Sequence, residues 1–503
     1  MLSEKEIMAL QNGSDVRGVA VDGVDGEPVN FLPEAANRIA GGFVKFLAEK
    51  LGKKPQELKI SVGHDARISA STLQKAVLQA LSADGVHAVD CALASTPAMF
   101  MSTVFSEVKM DGAIMLTASH LPFHRNGMKF FTADGGLEHD EVTTVLKYAV
   151  SVPQKDADVT SVASLDLLSL YAEHLRNVIY LELGATRGSK PFQGMQIIVD
   201  AGNGDGGFFV DRVLEPLGAN TTGSQFLEPD GMFPNHIPNP ENHAAMESLK
   251  AAVLRNNADL GLIFDTDVDR MGAVLANGET ISRNSLIAMM AAILAPDYPG
   301  STIVTDSVTS DELTEFLEGS LGLKHHRFKR GYKNVIDECI RLNREGIISP
   351  LAIETSGHGA LKENYYLDDG AYLAVKMLVA AARAKANGQG LEHLISRLHQ
   401  PAESKEYRLK ILAGEDCRAY AQSVLDNFAA QAERDGLQLV KPSYEGVRIA
   451  FPHGWALLRM SLHEPNMPLN VESRKAGGCR EIAVWTKKAL AGFDKLALNI
   501  LDE

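Results

Sequence analysis

Cysteine is scarce and scattered. Cys91, Cys339, Cys417 and Cys479 are the four in 503 residues, with no C-x-x-C pair and no dense framework. Reduced thiols in a cytosolic compartment are therefore the expectation. A Lys/Arg-rich run is also lacking, and a formal net charge of −15 argues against a nucleic-acid partner. An acidic protein that handles an anionic ligand must gather its basic groups locally. Long apolar runs are missing too. The longest, Ala371–Ala384, carries Lys376 and Arg383. It is too short and too charged to span a membrane and reads as a buried helix. The N-terminus lacks the apolar core of a secretory signal, and no short repeat suggests a solenoid.

What is present is an ordinary globular composition, 45% hydrophobic and 22% charged. The chain is too long for one core, and about three to four domains are expected. Helical spacing over 33–51 ends at Gly52. Strand–loop–helix units then follow: strands at 59–62 and 86–88, helices at 71–83 and 96–104, and the apolar strand Gly112–Leu116. This alternation predicts an α/β fold. Residues 150–162 are polar and featureless, a candidate linker. The pattern restarts with a helix near 165–180 and strands at 195–199, 258–264, 302–305 and 351–353. Residues 385–405 read as a second linker. The remainder forms a smaller unit, with a helix at 415–435 and strands near 446–451 and 455–460.

Several loops at strand ends could carry chemistry. In Thr117-Ala-Ser-His-Leu-Pro-Phe-His-Arg-Asn-Gly-Met-Lys-Phe-Phe131, Ser119 lies among His120, His124, Arg125 and Lys129. Pro122 stops regular structure, and Asn126-Gly127 is a turn signal. An ordinary polar loop and a functional one are both open on this stretch alone. Asp265, Asp267 and Asp269 follow an apolar strand. Three carboxylates this close repel unless a cation neutralises them, and oxygen ligands suit a hard ion such as Mg²⁺. An EF-hand is excluded, because its sixth and twelfth positions would be Arg270 and Ala276. A phosphatase with Asp265 as nucleophile and a site with three pure ligands both stay open.

Gly202, Gly204 and Gly207 match the dinucleotide fingerprint, but mid-chain they read better as close helix–strand packing. Glu354-Thr355-Ser356-Gly357-His358 offers the donors and acceptors that suit sugar hydroxyls. Arg459 and Ser461, two apart after an apolar strand, could hold a phosphate.

In this order, T-A-S-H-x-P…N-G-x-K, D-x-D-x-D-R, E-x-S-G-H and R-x-S-x-x-x-P resemble the α-D-phosphohexomutase superfamily. The resemblance spans essentially the whole chain, from Ser14-Asp15-Val16-Arg17-Gly18 onward. It implies four domains round a central cleft, three related α/β domains and a smaller C-terminal α+β domain. The expected divisions are 1–160, 161–275, 276–398 and 399–503. It also implies an enzyme interconverting hexose 1-phosphate and hexose 6-phosphate of the mannose or glucose series. The route would run through phosphoserine at Ser119 and a bound hexose 1,6-bisphosphate, which also serves as activator. Ser119, Lys129 and Arg17 would be catalytic. Ser119, Asp265, Asp267 and Asp269 would hold Mg²⁺. His120, Arg270, Arg330, Lys333, Glu354, Ser356, Gly357, His358, Arg459, Ser461 and His463 would bind substrate.

Phosphoryl transfer asks mainly for positioning and neutralised charge, which this set supplies. The sequence departs from the family pattern at Thr266, Val308, Tyr332 and Ser461-Leu462-His463. None of these touches Ser119 or the three aspartates. Phosphoglucosamine mutase is the alternative within the class. A Mg²⁺-dependent phosphatase and a non-catalytic phosphosugar-binding protein are the alternatives outside it. A monomer or homodimer in the cytoplasm, with no membrane partner, completes the expectation.

Overall fold

The structure, a computed structural model, describes residues 2–412, 417–461 and 465–502. The chain forms two compact units, Met1–Ser282 with Ser356–His393, and Arg283–Thr355 with Leu394–Glu503.

The first unit begins with an eight-stranded mixed sheet. Its order is Gln11–Asn12, Asp15–Val19, Arg125–Thr132, Gly112–Leu116, Lys59–His64, His87–Leu93 and Ala163–Ser164, with Gly135–Gly136 pairing beside Arg125–Thr132. The helix Pro33–Leu51 starts on a proline and stops on Gly52 in the left-handed conformation. It packs between Ala70–Ala83 and His139–Ser151. A second, four-stranded mixed sheet follows, in the order Thr280–Ile281, Met271–Leu275, Leu260–Phe264, Ile197–Asp200. Leu260–Phe264 and Met271–Leu275 are antiparallel, so Asp265–Arg270 is the loop of a hairpin. The hairpin Gly359–Leu361 and Leu367–Asp368 leads into the helix Gly370–Ala386, which packs on Leu167–Leu183. The expected helix at 371–384 is this one, buried over most of its length.

In the second unit, Thr302–Thr305 runs parallel to both Lys324–Arg327 and Leu351–Ile353. The C-terminal sheet is antiparallel throughout, in the order Glu403–Lys410, Asn466–Ser473, Gly454–Leu458, Val447–Phe451, Gln438–Leu439. The helices Cys417–Arg434 and Gly478–Ala489 share its apolar core. The α/β expectation, with a different C-terminal sheet-and-helix region, is borne out. No helix among the described residues is long and apolar enough to cross a membrane.

One reading is corrected. Asn126-Gly127 is not a turn: both residues lie inside Arg125–Thr132 and pair with Gly18 and Arg17. A Cβ at Gly127 would sit 2.1 Å from the Val16 carbonyl oxygen, so the glycine serves a close strand approach. The chain reverses earlier, where the Arg125 amide donates to the Pro122 carbonyl at 3.0 Å. Residues 150–162, expected as a linker, have little regular structure and are tied to the first sheet's layer. Asn37 exchanges two hydrogen bonds with the Lys155 backbone, and Lys155 is paired to Asp84. The region 385–405 holds structure, the short helix Leu391–Ile395 and the start of Glu403–Lys410.

Candidate active site

The serine loop begins where Gly112–Leu116 ends. The Thr117 hydroxyl accepts the Ser119 amide at 2.9 Å. Ser119 has φ of 52°, a left-handed conformation that costs a side-chain-bearing residue roughly 1 kcal/mol. A buried guanidinium holds it there. Arg67 donates to the carbonyls of Leu121 at 2.6 Å, Pro122 at 2.7 Å and Arg125 at 2.9 Å, and to that of Ser119. Asp65 in turn accepts the Arg67 Nε at 3.1 Å and its backbone amide at 3.0 Å. Gly63-His64-Asp65-Ala66-Arg67 follows an apolar strand as a polar stretch, and nothing in its local sequence shows that Arg67 staples the serine loop from within.

The side-chain oxygen of Ser119 is held from both sides. It donates to Asp265 Oδ2 at 3.1 Å and accepts from Arg270 Nη2 at 3.1 Å. His120 Nδ1 lies 3.3 Å away. Arg17 donates to the Ala118 carbonyl at 3.1 Å and to Asp15 at 3.0 Å. The hairpin loop turns its three aspartates together, and Val268 at φ 64° makes the reversal. Arg270 Nε bonds Asp265 Oδ2 at 3.0 Å. Lys129 Nζ bonds Asp267 at 3.2 Å and also Asp269. Thr96, from a helix of the first sheet's layer, bonds Asp267 through both its hydroxyl and its amide.

The carboxylates of Asp265, Asp267 and Asp269 converge closely enough to hold one metal ion. All three are buried, and Asp267 Oδ1 and Asp269 Oδ1 have no hydrogen-bond partner among the described residues. Buried hard oxygen donors that accept no hydrogen bond fit a small divalent cation. A second cluster, Asp269, His358 and Asp368, adjoins the first. The backbone of His358 bridges to that of Arg270, which brings the 356–358 loop against the aspartates. Gly357 has φ of 96°, and a Cβ there would lie 2.9 Å from the Met271 carbonyl.

The charges sort themselves by burial and pairing. Burial, with Asp269 nearby, drives the Asp265 carboxyl well above the usual range. Burial acts the same way on Asp269, but Lys129, His358 and Arg270 more than offset it, and its carboxyl lies well below that range. Burial, together with Arg270 and Arg17, pushes His120 down to about 2, so it stays neutral. Burial works against the charge on His358, yet Asp368 and Asp269 raise it to about 9.

The fingerprint glycines pack against protein. A Cβ at Gly204 would meet the Thr266 carbonyl oxygen at 2.6 Å, and one at Gly207 the Leu227 oxygen at 2.4 Å. The neighbouring Asp205 is buried beside Asp65 and Asp267. Nothing in a G-x-G-x-x-G pattern announced this.

The second unit carries the other expected residues. Glu354 Oε1 accepts the Gly331 amide at 2.6 Å, which joins the Glu354 loop to the segment bearing Arg330 and Lys333. Lys333 pairs with Asp337 at 2.5 Å. Arg459 is buried and bonds Glu445 at 3.3 Å. The Ser461 amide donates to the Asn466 carbonyl at 3.0 Å. Val308 is buried with Trp455 and Leu457 in one small apolar cluster. His463 lies outside the described residues. Glu445 carried no motif and was not anticipated.

A serine held between an arginine and a buried trio of aspartates is an arrangement whose charges suit phosphoryl transfer. Three family models match along the chain: phosphoglucomutase/phosphomannomutase α/β/α domain I over residues 9–152, domain II over 169–278 and domain III over 282–401. The chain belongs to the α-D-phosphohexomutase superfamily, and its activity class is hexose phosphate mutase. Among curated relatives, a phosphomannomutase/phosphoglucomutase of Pseudomonas syringae is 28% identical over 91% of this chain and 90% of its own. A phosphoglucomutase/phosphomannomutase of Thermococcus kodakarensis is 28% identical over 93% and 95%. A crystal structure of a phosphoglucomutase/phosphomannomutase family protein from Burkholderia thailandensis superposes with a TM-score of 0.78 at 25% identity. It covers 99% of this chain and 100% of its own.

Proposed function

We propose that the enzyme interconverts the 1- and 6-phosphates of mannose or glucose through phosphoserine at Ser119 and a bound hexose 1,6-bisphosphate. The observation that carries this is the double grip on the Ser119 oxygen, 3.1 Å from both Asp265 and Arg270. Asp265 is thereby tied to the serine and the arginine, which favours a ligand role over that of a phosphatase nucleophile. Mg²⁺ held by Asp265, Asp267, Asp269 and the phosphoserine would neutralise phosphoryl oxygens.

In the forward step the substrate hydroxyl oxygen bonds to phosphorus as the bond to Ser119 Oγ breaks. Arg270 Nη2, 3.1 Å from that oxygen, is the donor we assign to stabilise the departing serine oxygen. Lys129, held against Asp267 and Asp269, is the group we assign to carry the hydroxyl proton. The bisphosphate turns over and returns its other phosphoryl group to Ser119. Glu354 and Ser356 are assigned to the sugar hydroxyls, and Gly357, His358, His120, Arg330 and Lys333 are assigned to substrate binding. Arg17 is assigned to the phosphoserine. Arg459 and Ser461 are assigned to the phosphate that is not reacting. The domain divisions given above, a cytoplasmic location and a monomeric or dimeric state belong to the same reading.

Intact mass and turnover test it. The wild-type protein is expected to carry a partial addition of about 80 Da, absent in Ser119→Ala. That variant should lose most activity on mannose 1-phosphate and glucose 1-phosphate with a bisphosphate activator. Full activity in Ser119→Ala, with none in Asp265→Asn, is the phosphatase result. Conversion of glucosamine 1-phosphate in preference to the other two would move the enzyme to the aminosugar branch.

A further inference from the structure

The segment before Val447–Phe451 presents one carboxylate to three donors. Glu445 Oε2 accepts the Ser307 hydroxyl at 2.7 Å and the Arg330 backbone amide at 2.8 Å. Its Oε1 accepts Arg459 Nη1 at 3.3 Å. The backbone packs tightly at this contact. Gly446 has φ of 62°, and a Cβ there would lie 2.1 Å from the Leu458 carbonyl oxygen and 2.8 Å from Arg459 Cα. Only glycine lets the Glu445 segment lie flush against Arg459. Arg459 is 6% exposed, and its Nε has no hydrogen-bond partner among the described residues. Burial lowers its pKa, Glu445 opposes that, and Arg330 adds like-charge repulsion.

A desolvated guanidinium beside a second arginine needs an anion at all times. We propose that Glu445 is a positioning residue that occupies Arg459 in the free enzyme and is exchanged for the non-reacting phosphate of the substrate, and so sets the affinity for hexose phosphates. The inference rests on the reading of Arg459 as the phosphate anchor. Two anions on one buried guanidinium repel each other, so a phosphate that binds there competes with the carboxylate and favours its release. The arginine stays paired in both states, and the grip on the phosphate is weakened to one that can let go. A mutase needs that, because either end of its bisphosphate must be released and taken up again.

The test is steady-state kinetics with glucose 1-phosphate and a bisphosphate activator on wild type, Glu445→Gln, Ser307→Ala and Arg459→Gln. The Glu445→Gln change keeps acceptor capacity for Ser307 and Arg330 but removes the competing charge. KM is expected to fall three- to tenfold with kcat within twofold. Ser307→Ala frees the carboxylate from one tether, so KM should fall two- to threefold; it serves if the Glu445→Gln change disturbs the fold. Arg459→Gln should raise KM at least tenfold. A raised or unchanged KM in both Glu445→Gln and Ser307→Ala, with Arg459→Gln impaired, overturns the exchange and leaves Glu445 a scaffold. An unchanged KM in Arg459→Gln removes the anchor itself, and the proposal with it. A thermal shift with inorganic phosphate gives a readout apart from turnover: the stabilisation should be larger in Glu445→Gln than in wild type.

Discussion

Arg67 shows what one buried side chain can organise. Its guanidinium faces four carbonyls of the serine loop, and Asp65 holds its Nε. A lysine could satisfy no more than part of this set, and it lacks the planar fork. In Arg67→Lys, kcat should fall by about 10² while KM stays within about threefold, since a misplaced serine oxygen harms the transition state more than binding. Steady-state kinetics beside a melting curve checks this. Loss of stability without a selective loss of kcat would show that Arg67 supports only the fold. His120, held neutral by burial and by two arginines, can offer a hydrogen bond beside Ser119 without titrating near neutrality.

At the scale of elements, the site depends on how closely strands approach. Asp15–Val19 and Arg125–Thr132 meet across Gly127, and Asn126 reaches back to Ser69 at 2.8 Å. Lys129 projects from the same strand to the aspartates, so strand spacing sets its reach. Gly127→Ala forces a Cβ against the Val16 carbonyl. We expect a loss of about 2–4 kcal/mol in stability, with activity falling in parallel, measured by denaturant unfolding and assay. In the second unit, Val308, one of the departures from the family pattern, packs with Trp455 and Leu457. That position contributes packing and no charge.

Over the whole molecule, a chain of net charge −15 gathers Arg17, Arg67, Lys129 and Arg270 around one serine loop. It also buries acids that carry a cost at neutral pH. Burial, with Glu312 nearby, raises Glu472 from 4.5 to about 7. A raised carboxyl favours the folded state below its unfolded pKa, and that advantage is lost as pH rises through the folded value. The shift corresponds to on the order of 3 kcal/mol. Glu472→Gln should match wild type in stability near pH 4.5 and gain on it as pH rises to 7.5, read as a widening gap in melting temperature. A gap independent of pH would rule out titration of Glu472 as its source.

The sequence alone determined the α/β class, the serine loop, the aspartate trio and the Glu354–His358 and Arg459–Ser461 loops. Each is written locally, as an apolar strand that ends on a run of polar residues. Tertiary structure decided the rest. Asn126-Gly127 reads as a turn because its local signal is identical whether glycine serves a positive φ or a close neighbour, and only the partner strand distinguishes them. Asn466–Ser473 alternates Met467, Leu469 and Val471 with polar residues, but Pro468 within the run argues against a paired strand, and only the fold shows it paired on both sides. Arg67 and Glu445 carry no spacing signal of their own. Their roles come from contacts across 52 residues to Ser119 and 138 to Ser307. Chemistry that resides in one loop can be read from the chain. Chemistry that one loop imposes on another exists only once the fold brings them together.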